Sequence, residues 1–358
     1  MIITANKIMV KPRSKELLDW YDNNARVLPW RVPPPNRKEV AHSDPYLVWL
    51  SEIMLQQTVV ATVIPYFEKF IKQWPSVEIL ANADLNSILQ AWSGLGYYAR
   101  ARNLHKCARI IVKQYNGRFP DSEKKLLMLP GIGPYTASAI LAIAFEKPAT
   151  VVDGNVERVI TRLFAISGRT PEVKSKIKSL AGELTPKHRC GDYAQAIMDL
   201  GATICSPRSP KCIDCPWLAA CKARSLSIEN NLPTRLPRKK KVVREGLAFL
   251  IVRTDGAILL RRRPEQGLLG GMMEVPSTNW AENGLTHISE APLDLDWLEL
   301  PGKVTHTFTH FKLELKVYKS AASEDHQLEG LWVLPEKLKE QALPTLTKKV
   351  IKHANLGL

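Results

Sequence analysis

Four cysteines lie within one short stretch of the chain, at Cys205, Cys212, Cys215 and Cys221. Their spacing, C-x6-C-x2-C-x5-C, allows four thiolates to converge on one soft metal centre, either a tetrahedral zinc ion or a four-iron four-sulfur cluster. The spacing does not choose between the two, and structural zinc is the commoner outcome. Disulfides are not expected, because the first residues have no apolar core of the signal-peptide type and 358 residues need no covalent staples.

The chain is strongly basic. Lys and Arg total 50 against 35 Asp and Glu, which gives a formal charge of +15. Such an excess favours a polyanionic partner, and nucleic acid is the leading candidate because binding it releases counterions. An anionic membrane surface is the alternative, but the sequence has no long uncharged apolar run. Arg208 and Lys211 lie in the cysteine stretch, so a bound metal would stiffen a loop that presents positive charge.

Two carboxylic acids occur where an acid and a charged partner could work together. Glu52 lies in an unusually apolar helical segment, residues 47–58, LVWLSEIMLQQT. A glutamate within a helix is more often solvated, but a carboxyl in apolar surroundings tends to stay protonated, as an acid must. Asp153 directly precedes a helical segment, and its simpler interpretation is helix capping together with Asn155.

Residues 129–137, LPGIGPYTA, join two helical segments through a turn punctuated by glycine. Gly131 and Gly133 let the backbone approach a ligand closely, and Pro134 suits the first position of the next helix. The free amides at that helix start would meet a DNA phosphate. Turns of this kind are also common between ordinary helices, but the positive charge and the cysteine cluster favour the DNA-binding interpretation.

The elements that position these residues fall into two domains. Residues 16–224 show helical periodicity, residues 230–241 form a basic, proline-containing linker, and the period then changes to two. Residues 246–253 and 257–263 flank Asp255-Gly256 as a hairpin, residues 311–318 alternate as a half-buried strand, and residues 343–354 predict a closing helix. We therefore predict an all-α domain over residues 1–226, a linker over 227–244, and a smaller α/β (α+β) domain over 245–358.

The hairpin, the segment VVDGNV at residues 151–156 and the cysteine spacing together resemble the endonuclease III superfamily of helix-hairpin-helix DNA glycosylases. The resemblance implies that the four cysteines hold one four-iron four-sulfur cluster rather than zinc. Bifunctional members carry a hairpin lysine that forms a Schiff base with the sugar, whereas this chain has Tyr135 at that position. Without an amine there, hydrolysis of the glycosidic bond without strand cleavage is expected. An endonuclease III-like glycosylase and lyase acting on oxidised pyrimidines is the alternative.

Four further segments resemble the MutY-type adenine DNA glycosylases: LPWR at 28–31, SEIMLQQT at 51–58, GLGYY at 94–98 and AQAIMDLGA at 194–202. Such enzymes remove adenine mispaired with 8-oxoguanine. The resemblance implies that Glu52 protonates adenine at N7 and that Asp153 stabilises the cation that develops on the sugar, or its covalent successor. The residues expected to complete the site around the sugar and the attacking water are Tyr135 and Asn155, and those expected to line the adenine pocket are Trp30, Arg31 and Gln195.

The resemblance also implies contacts with the base opposite adenine. Gln57 and Tyr97 would wedge into the base stack, while Thr58 and Leu95 would touch 8-oxoguanine. Of Tyr97 and Tyr98, one is expected to be an ordinary packing residue. In the second domain, Phe308-Thr309-His310 matches the motif through which the family senses 8-oxoguanine, although the alternating pattern is also that of a β-strand.

The C-terminal part resembles the Nudix-like domain of this family through residues 268–276, LLGGMMEVP. Nudix hydrolases need a glutamate-rich helix for magnesium, and no such run follows Pro276, so metal-dependent hydrolysis is not expected. The triplet Arg261-Arg262-Arg263 is either a solvated edge or a DNA contact. Rival functions are a Nudix nucleotide hydrolase with a DNA-binding appendage and a non-catalytic DNA-binding protein with a metal clasp.

The expected partner is double-stranded DNA with adenine opposite 8-oxoguanine or guanine, and Gly131, Gly133, Arg208 and Lys211 are expected to contact its backbone. We expect a monomer without a membrane association, and the sequence predicts no protein partner. The expected location is the bacterial cytoplasm, or the nucleus or mitochondrion of a eukaryote. The loop at residues 32–43 is longer and richer in proline than in typical bacterial members.

Overall fold

The computed structural model describes residues 10–34, 43–234, 240–282, 287–323 and 329–356. Most of the proline-rich loop at 32–43 and the central linker residues 235–239 lie outside these ranges. The chain divides into two compact units, one built from the described parts of Met1–Glu78 and Lys106–Pro237, the other from Ile79–His105 and the described residues after Arg238.

Helices dominate the described residues before the first strand, as the periodicity predicts. In chain order they are α1 (Ser14–Asn24), α2 (Pro45–Leu55), α3 (Val60–Gln73), α4 (Val77–Asn82), α5 (Leu85–Trp92), α6 (Ala99–Tyr115), α7 (Glu123–Leu127), α8 (Pro134–Phe145), α9 (Gly154–Leu163), α10 (Thr170–Leu184), α11 (Cys190–Thr203) and α12 (Lys222–Ser225). In the described ranges, no helix is both long enough and apolar enough to cross a lipid bilayer.

The centre of the first unit is formed by α8 and α11, which contact each other, with α2 packed on α8 and α9 packed on α11. Residues Thr136–Ala144 of α8 and Cys190–Gly201 of α11 are all buried. A helix that is apolar on every side must lie inside the protein. Polar side chains carried by these central helices, or by the apolar α2, are therefore held away from bulk water.

In its described residues the second unit has a sheet of seven strands: β1 (Val242–Arg253), β2 (Ile258–Arg262), β3 (Met273–Glu274), β4 (Leu298–Glu299), β5 (Val304–Thr307), β6 (Phe311–Ala322) and β7 (Leu331–Val333). The order is β3-β2-β1-β6-β4, with β5 paired to β6 and β7 to β2. The helix α13 (Thr345–His353) follows. The predicted hairpin, the half-buried strand and the closing helix are confirmed, since β1 and β2 are antiparallel and β6 alternates between buried and half-buried residues.

The first strand begins earlier than predicted. Val242 pairs with Phe311 in the parallel register of β1 and β6, and the pairing continues to Glu245 opposite Glu314. Residues assigned to the linker therefore belong to the sheet. The preceding lysines make this segment resemble a linker, because lysine is depleted in most strands.

The sequence did not predict that Ile79–His105 groups with the second unit. Within that unit, Ser93 Oγ donates to the Leu343 carbonyl at 2.5 Å and Gln90 Nε2 donates to the Lys339 carbonyl at 3.0 Å. Arg102 Nη1 also donates to the Gly270 carbonyl. Helical periodicity identifies a buried face, but it does not say which part of the chain covers that face.

Candidate active site and DNA contacts

A pocket of about 850 Å³ opens in the first unit. Its size is typical of a small-molecule or nucleobase site. It is lined by side chains from the segment before α2, the end of α2, the starts of α8 and α9, and α11. The predicted site residues that it brings together are Trp30, Arg31, Glu52, Gln57, Thr58, Tyr135, Asp153, Asn155 and Gln195.

Glu52 lies in the last two turns of α2 and is only 5% exposed, so the solvated interpretation of this glutamate is wrong. Burial raises the pKa of its carboxyl to about 7, the nearby Asp153 carboxylate adds to the rise, and Tyr135 and Arg31 oppose it. Among the described residues, Glu52 Oε2 has no hydrogen-bond partner. Glu52 can therefore hold a proton near neutral pH and present it to a group in the pocket.

Tyr135 follows Pro134 in the first turn of α8, which brings its side chain into the pocket. Its hydroxyl donates to Met198 Sδ at 3.5 Å. Burial and then the carboxyl groups of Glu52 and Asp153 raise the pKa of the phenol well above its usual value. Tyr135 therefore remains a neutral hydrogen-bond donor between the two acids.

Asp153 caps α9, as its simpler interpretation predicted, and it also lines the pocket. Its Oδ1 accepts a hydrogen bond from the Val156 amide at 2.7 Å, and its Oδ2 accepts one from Asn155 Nδ2 at 2.8 Å. A carboxylate at a helix N-terminus interacts favourably with the helix dipole. The cap fixes the Asp153 carboxylate at the wall of the pocket.

Asn155 is held from its other side by Arg158, whose Nη2 donates to Asn155 Oδ1 at 2.8 Å. A side chain at Gly201 would meet Asn155, since an added Cβ would lie 2.7 Å from Asn155 Cβ. This glycine allows α11 to approach the start of α9 closely. The amide of Asn155 is therefore fixed in orientation beside Asp153.

The sequence did not predict the buried carboxylate of Asp199, which holds two arginines at the pocket. Both of its oxygens accept hydrogen bonds from Arg31 Nη1, at 2.9 and 2.8 Å. The backbone amide and Nε of Arg26 donate to it at 3.0 and 2.6 Å. Asp199 is fully buried, and it lies one helical turn after Gln195 on α11. Residues four apart share one face of a helix, so the spacing from Gln195 could have predicted that Asp199 lies on the pocket side of α11.

Replacing Asp199 by asparagine is expected to lower the free energy of unfolding by about 3–5 kcal/mol, because it leaves the buried Arg31 without its counter-charge. Urea unfolding followed by tryptophan fluorescence should show a lower midpoint. Asp19→Asn is the matched control, since Asp19 pairs with Lys15 on the exposed surface and its loss should cost less than about 1 kcal/mol. Equal midpoints for Asp199→Asn and wild type would contradict this account.

Gln195 and Trp30 are buried residues of the pocket wall. Trp30 is 6% exposed and packs edge-on against Phe67, with ring centroids 5.2 Å apart. Gln195 is 1% exposed, and its Nε2 donates to the Gly191 carbonyl of its own helix at 3.2 Å. A planar ring and an oriented amide that line the same pocket can recognise a flat heterocycle such as a nucleobase.

The remaining predicted base contacts lie in the second unit. A pocket of about 490 Å³ there is lined by Tyr97, Phe308, Thr309 and His310, whereas Leu95 is buried and does not line it. Tyr97 is 45% exposed and its hydroxyl lies 2.8 Å from Thr309 Oγ1. Tyr98 is 5% exposed and is the packing residue of the pair.

Residues 308–310 are not part of a strand. They form the turn between β5 and β6, and the Phe308 amide donates to the Phe311 carbonyl at 2.9 Å. The Phe308 ring packs against Trp280 and Phe311, with ring centroids 5.8 and 4.8 Å away. The strand interpretation of this motif is therefore wrong, and Thr309 and His310 are exposed at the tip of the turn.

The glycine turn before α8 has the form expected of a phosphate-binding hairpin. Gly131 has φ +80°, which a residue with a side chain rarely adopts, and Gly133 immediately precedes the helix. Arg208 and Lys211 are exposed in the cysteine loop. These residues do not line the first unit's pocket.

The four cysteines lie in the loop after α11 and are all partly buried. Burial raises the pKa of the Cys215 thiol to about 12, and Cys205, Cys221 and Cys212 are near enough to add to the rise. In the described ranges, no three His, Cys, Asp or Glu side chains are placed to hold a single metal ion. Two buried arginines of α9 hold the loop: Arg162 Nη1 donates to the Ser206 carbonyl at 2.7 Å and Arg158 Nε to the Cys205 carbonyl at 2.7 Å.

Each arginine of the triplet at residues 261–263 binds a group within the second unit. Arg261 Nε donates to Glu274 Oε1 at 2.8 Å, Arg263 Nη1 donates to the other carboxylate oxygen, and Arg262 donates to the Gly271 carbonyl. Glu274 is 6% exposed. Two of the three arginines therefore neutralise a buried carboxylate.

Comparisons with known proteins agree with the two-part organisation. Residues 50–186 match the HhH-GPD superfamily of base excision DNA repair proteins, and residues 247–353 match the NUDIX domain. The chain is 36% identical to an adenine DNA glycosylase of Homo sapiens, over 94% of this chain and 72% of the relative. It is also 36% identical to an adenine DNA glycosylase of Buchnera aphidicola, over 84% of each chain.

Among solved structures, a thermostable thymine-DNA glycosylase superposes on this chain with a TM-score of 0.52 and 30% sequence identity. The match covers 60% of this chain and 95% of that structure. About 60% of the chain therefore shares its fold with that glycosylase.

Proposed function

The chain belongs to the adenine DNA glycosylases, and from this premise we propose that it hydrolyses the bond between adenine and deoxyribose where adenine lies opposite 8-oxoguanine or guanine. The observation that carries the proposal is Glu52, a buried acid with a pKa near neutrality in a pocket large enough for a nucleobase. The adenine nucleotide must leave the duplex to reach it, at a cost of a few kcal/mol.

The chemistry needs a proton for the departing base and negative charge near the sugar as it becomes cationic. Glu52 would donate its proton to N7 of adenine, so that the base leaves as a neutral molecule. Asp153, fixed by its cap on α9, would stabilise the developing positive charge or bond to the sugar carbon. Tyr135 and Asn155 would orient the sugar and the attacking water.

Adenine would lie against Trp30, within reach of Arg31 and Gln195. The hairpin glycines Gly131 and Gly133 would accept a phosphate at the start of α8, and Arg208 and Lys211 would contact the backbone electrostatically. Contacts with 8-oxoguanine would come from the wedge residues Gln57 and Tyr97, from Thr58 and Leu95, and from Phe308, Thr309 and His310.

The direct test is release of free adenine from a duplex that carries adenine opposite 8-oxoguanine, compared with one that carries adenine opposite guanine. We expect an abasic site without a strand break at that step, because Tyr135 stands where a lyase has an amine. No released adenine would overturn the proposal. A borohydride-trapped protein–DNA adduct formed as efficiently as by a true lyase would favour the bifunctional alternative.

The rate of adenine release is expected to fall as the pH rises through about 7. Glu52 is protonated below its pKa of about 7 and loses the required proton above it. Single-turnover rates measured between pH 5 and 9 should therefore decrease above about pH 7, with the slope expected for the loss of one proton. The pKa of Glu52 rises from 4.5 in the unfolded chain to about 7 in the folded protein. Its contribution to the free energy of unfolding is therefore complete below pH 4.5 and is lost as the pH rises through 7. If the rate of adenine release stayed constant up to pH 9, Glu52 would not be the acid that protonates the base.

We also propose that Cys205, Cys212, Cys215 and Cys221 hold one four-iron four-sulfur cluster. Zinc bound by four thiolates at 2.3 Å would bring the sulfur atoms to about 3.8 Å from one another. The four cysteines share one loop, and Cys205, Cys221 and Cys212 lie near enough to Cys215 to raise the pKa of its thiol. This proximity and the cysteine spacing support one shared centre. The cluster would act as a structural clasp that orders the basic loop around Arg208 and Lys211.

Purified protein is accordingly expected to be brown, with broad visible absorption and about four irons per chain. Iron and sulfide analysis together with the absorption spectrum provides the measurement, independently of any activity. Serine at Cys212 should lower the iron content, whereas serine at the buried, isolated Cys107 should leave it unchanged. A colourless protein that contains one zinc ion would contradict the assignment.

A further inference from the structure

The loop between α5 and α6 holds its exposed tyrosine in an unfavourable backbone conformation. Tyr97 has φ +48°, and the glycines on its N-terminal side, Gly94 and Gly96, have φ +112° and +71°. A bulky aromatic residue in the left-handed region costs about 1–2 kcal/mol, and it persists only where the surroundings enforce it. Some contact in the second unit must therefore hold this loop.

Arg100, in the first turn of α6, makes that contact. Its Nη2 donates to the carbonyls of Leu95 and Gly96, both at 3.2 Å. Its guanidinium lies 5.3 Å from the ring of Trp92 and 5.4 Å from the ring of Tyr97. One side chain thus binds the backbone of the loop and the aromatic ring that the loop presents.

The chemistry of this contact suits arginine specifically. Arg100 is 8% exposed, and burial lowers its pKa to about 10, so that the guanidinium still carries its charge at pH 7. A planar guanidinium can donate to two carbonyls while its faces stack on aromatic rings, which a lysine ammonium cannot do. Trp92 strengthens the arrangement because its Nε1 donates to the Gly96 carbonyl at 3.1 Å.

The Tyr97 ring held in this way lies next to the turn between β5 and β6, residues 308–310. The Tyr97 hydroxyl lies 2.8 Å from Thr309 Oγ1, and both residues line the second unit's pocket. Leu95, whose carbonyl Arg100 binds, directly precedes the strained part of the loop. Arg100 therefore fixes two residues proposed to meet the base opposite adenine, although it is itself buried beneath them.

We propose that Arg100 is a positioning residue for recognition of the base opposite adenine, holding Tyr97 and Leu95 in the conformation that favours 8-oxoguanine over guanine. The inference rests on the proposed function. It concerns the preference between two opposite bases and not the cleavage chemistry, because Arg100 lies in the second unit and the proposed acid Glu52 in the first.

The experiment compares single-turnover rates of adenine release opposite 8-oxoguanine and opposite guanine in wild type, Arg100→Met and Arg100→Lys. Arg100→Met should lower the ratio of the two rates about tenfold, chiefly by slowing release opposite 8-oxoguanine, which corresponds to about 1.4 kcal/mol. Arg100→Lys should recover little of the ratio, since it restores the charge without the planar fork. Arg109→Met, at an exposed position of the same helix, should leave the ratio unchanged.

The wild-type rates separate this proposal from the proposed function. If wild type released no adenine, the proposed function itself would fail. An equal loss of both rates in Arg100→Met, or an unchanged ratio, would show that Arg100 supports only the fold and would overturn the inference. Full recovery by lysine would overturn it as well. Thermal unfolding of each variant establishes that the rates refer to folded protein.

Discussion

Replacing Glu52 by glutamine is expected to slow adenine release by about 10²–10⁴-fold. Glutamine has nearly the shape of a protonated glutamate, but its amide cannot transfer a proton to the departing base. The variant should fold, because Glu52 Oε2 makes no hydrogen bond among the described residues and the neutral amide avoids burying a charge. The measurement is the single-turnover rate, with binding of the mispaired duplex determined in parallel.

Glu68→Gln provides the control, since Glu68 is an exposed glutamate on α3 in the same unit. Its rate should equal that of wild type. If Glu52→Gln still released adenine at the wild-type rate, another group would have to supply the proton. Loss of both binding and thermal stability would instead mean that Glu52 is needed for the structure.

Replacing Asp153 by asparagine separates the two roles that the structure gives this residue. Asparagine caps helices about as well as aspartate, so α9 should keep its N-terminal hydrogen bond from the Val156 amide. The negative charge at the pocket disappears, however, and release should slow by about 10²–10³-fold, as when a transition-state stabilising group is removed. Single-turnover rates and a melting curve measure both effects.

The matched control is Asp84→Asn. Asp84 caps α5 in the same way, accepting from the Ser87 amide at 3.0 Å, but it does not line the first unit's pocket. We expect a small change in stability and no change in rate. If Asp153→Asn cleaves adenine at the wild-type rate, its carboxylate is only a helix cap.

The sequence was informative where local pattern and chemistry coincide. The apolar run around Glu52 argued against full solvation of this acid, because a helix without a polar face has nowhere to expose a glutamate, and Glu52 is buried. The alternation from Phe311 predicted a strand with one covered face, and β6 shows it. The resemblance to known glycosylases supplied the residues of the first pocket, which come from segments as far apart as Trp30 and Gln195.

The features that the sequence did not predict depend on long-range contacts. Asp199 looked like any helical aspartate until Arg26 and Arg31, more than 160 positions away, were seen to bind it. Arg100 and Arg102 both lie near the start of α6, and only the path of the preceding loop distinguishes Arg100. Periodicity reports that a side chain is buried, but not which group it meets there.

The second unit is assembled from two stretches that leave the ribosome at different times. Ile79–His105 is synthesised about 130 residues before the sheet that completes its unit. At ordinary translation speeds of about 5–20 residues per second, α5 waits roughly 12–50 s for Lys339 and Leu343, which bind Gln90 and Ser93 and lie about 250 residues later in the chain. Until those residues emerge from the ribosome, α5 lacks the hydrogen-bond partners that hold it in the second unit.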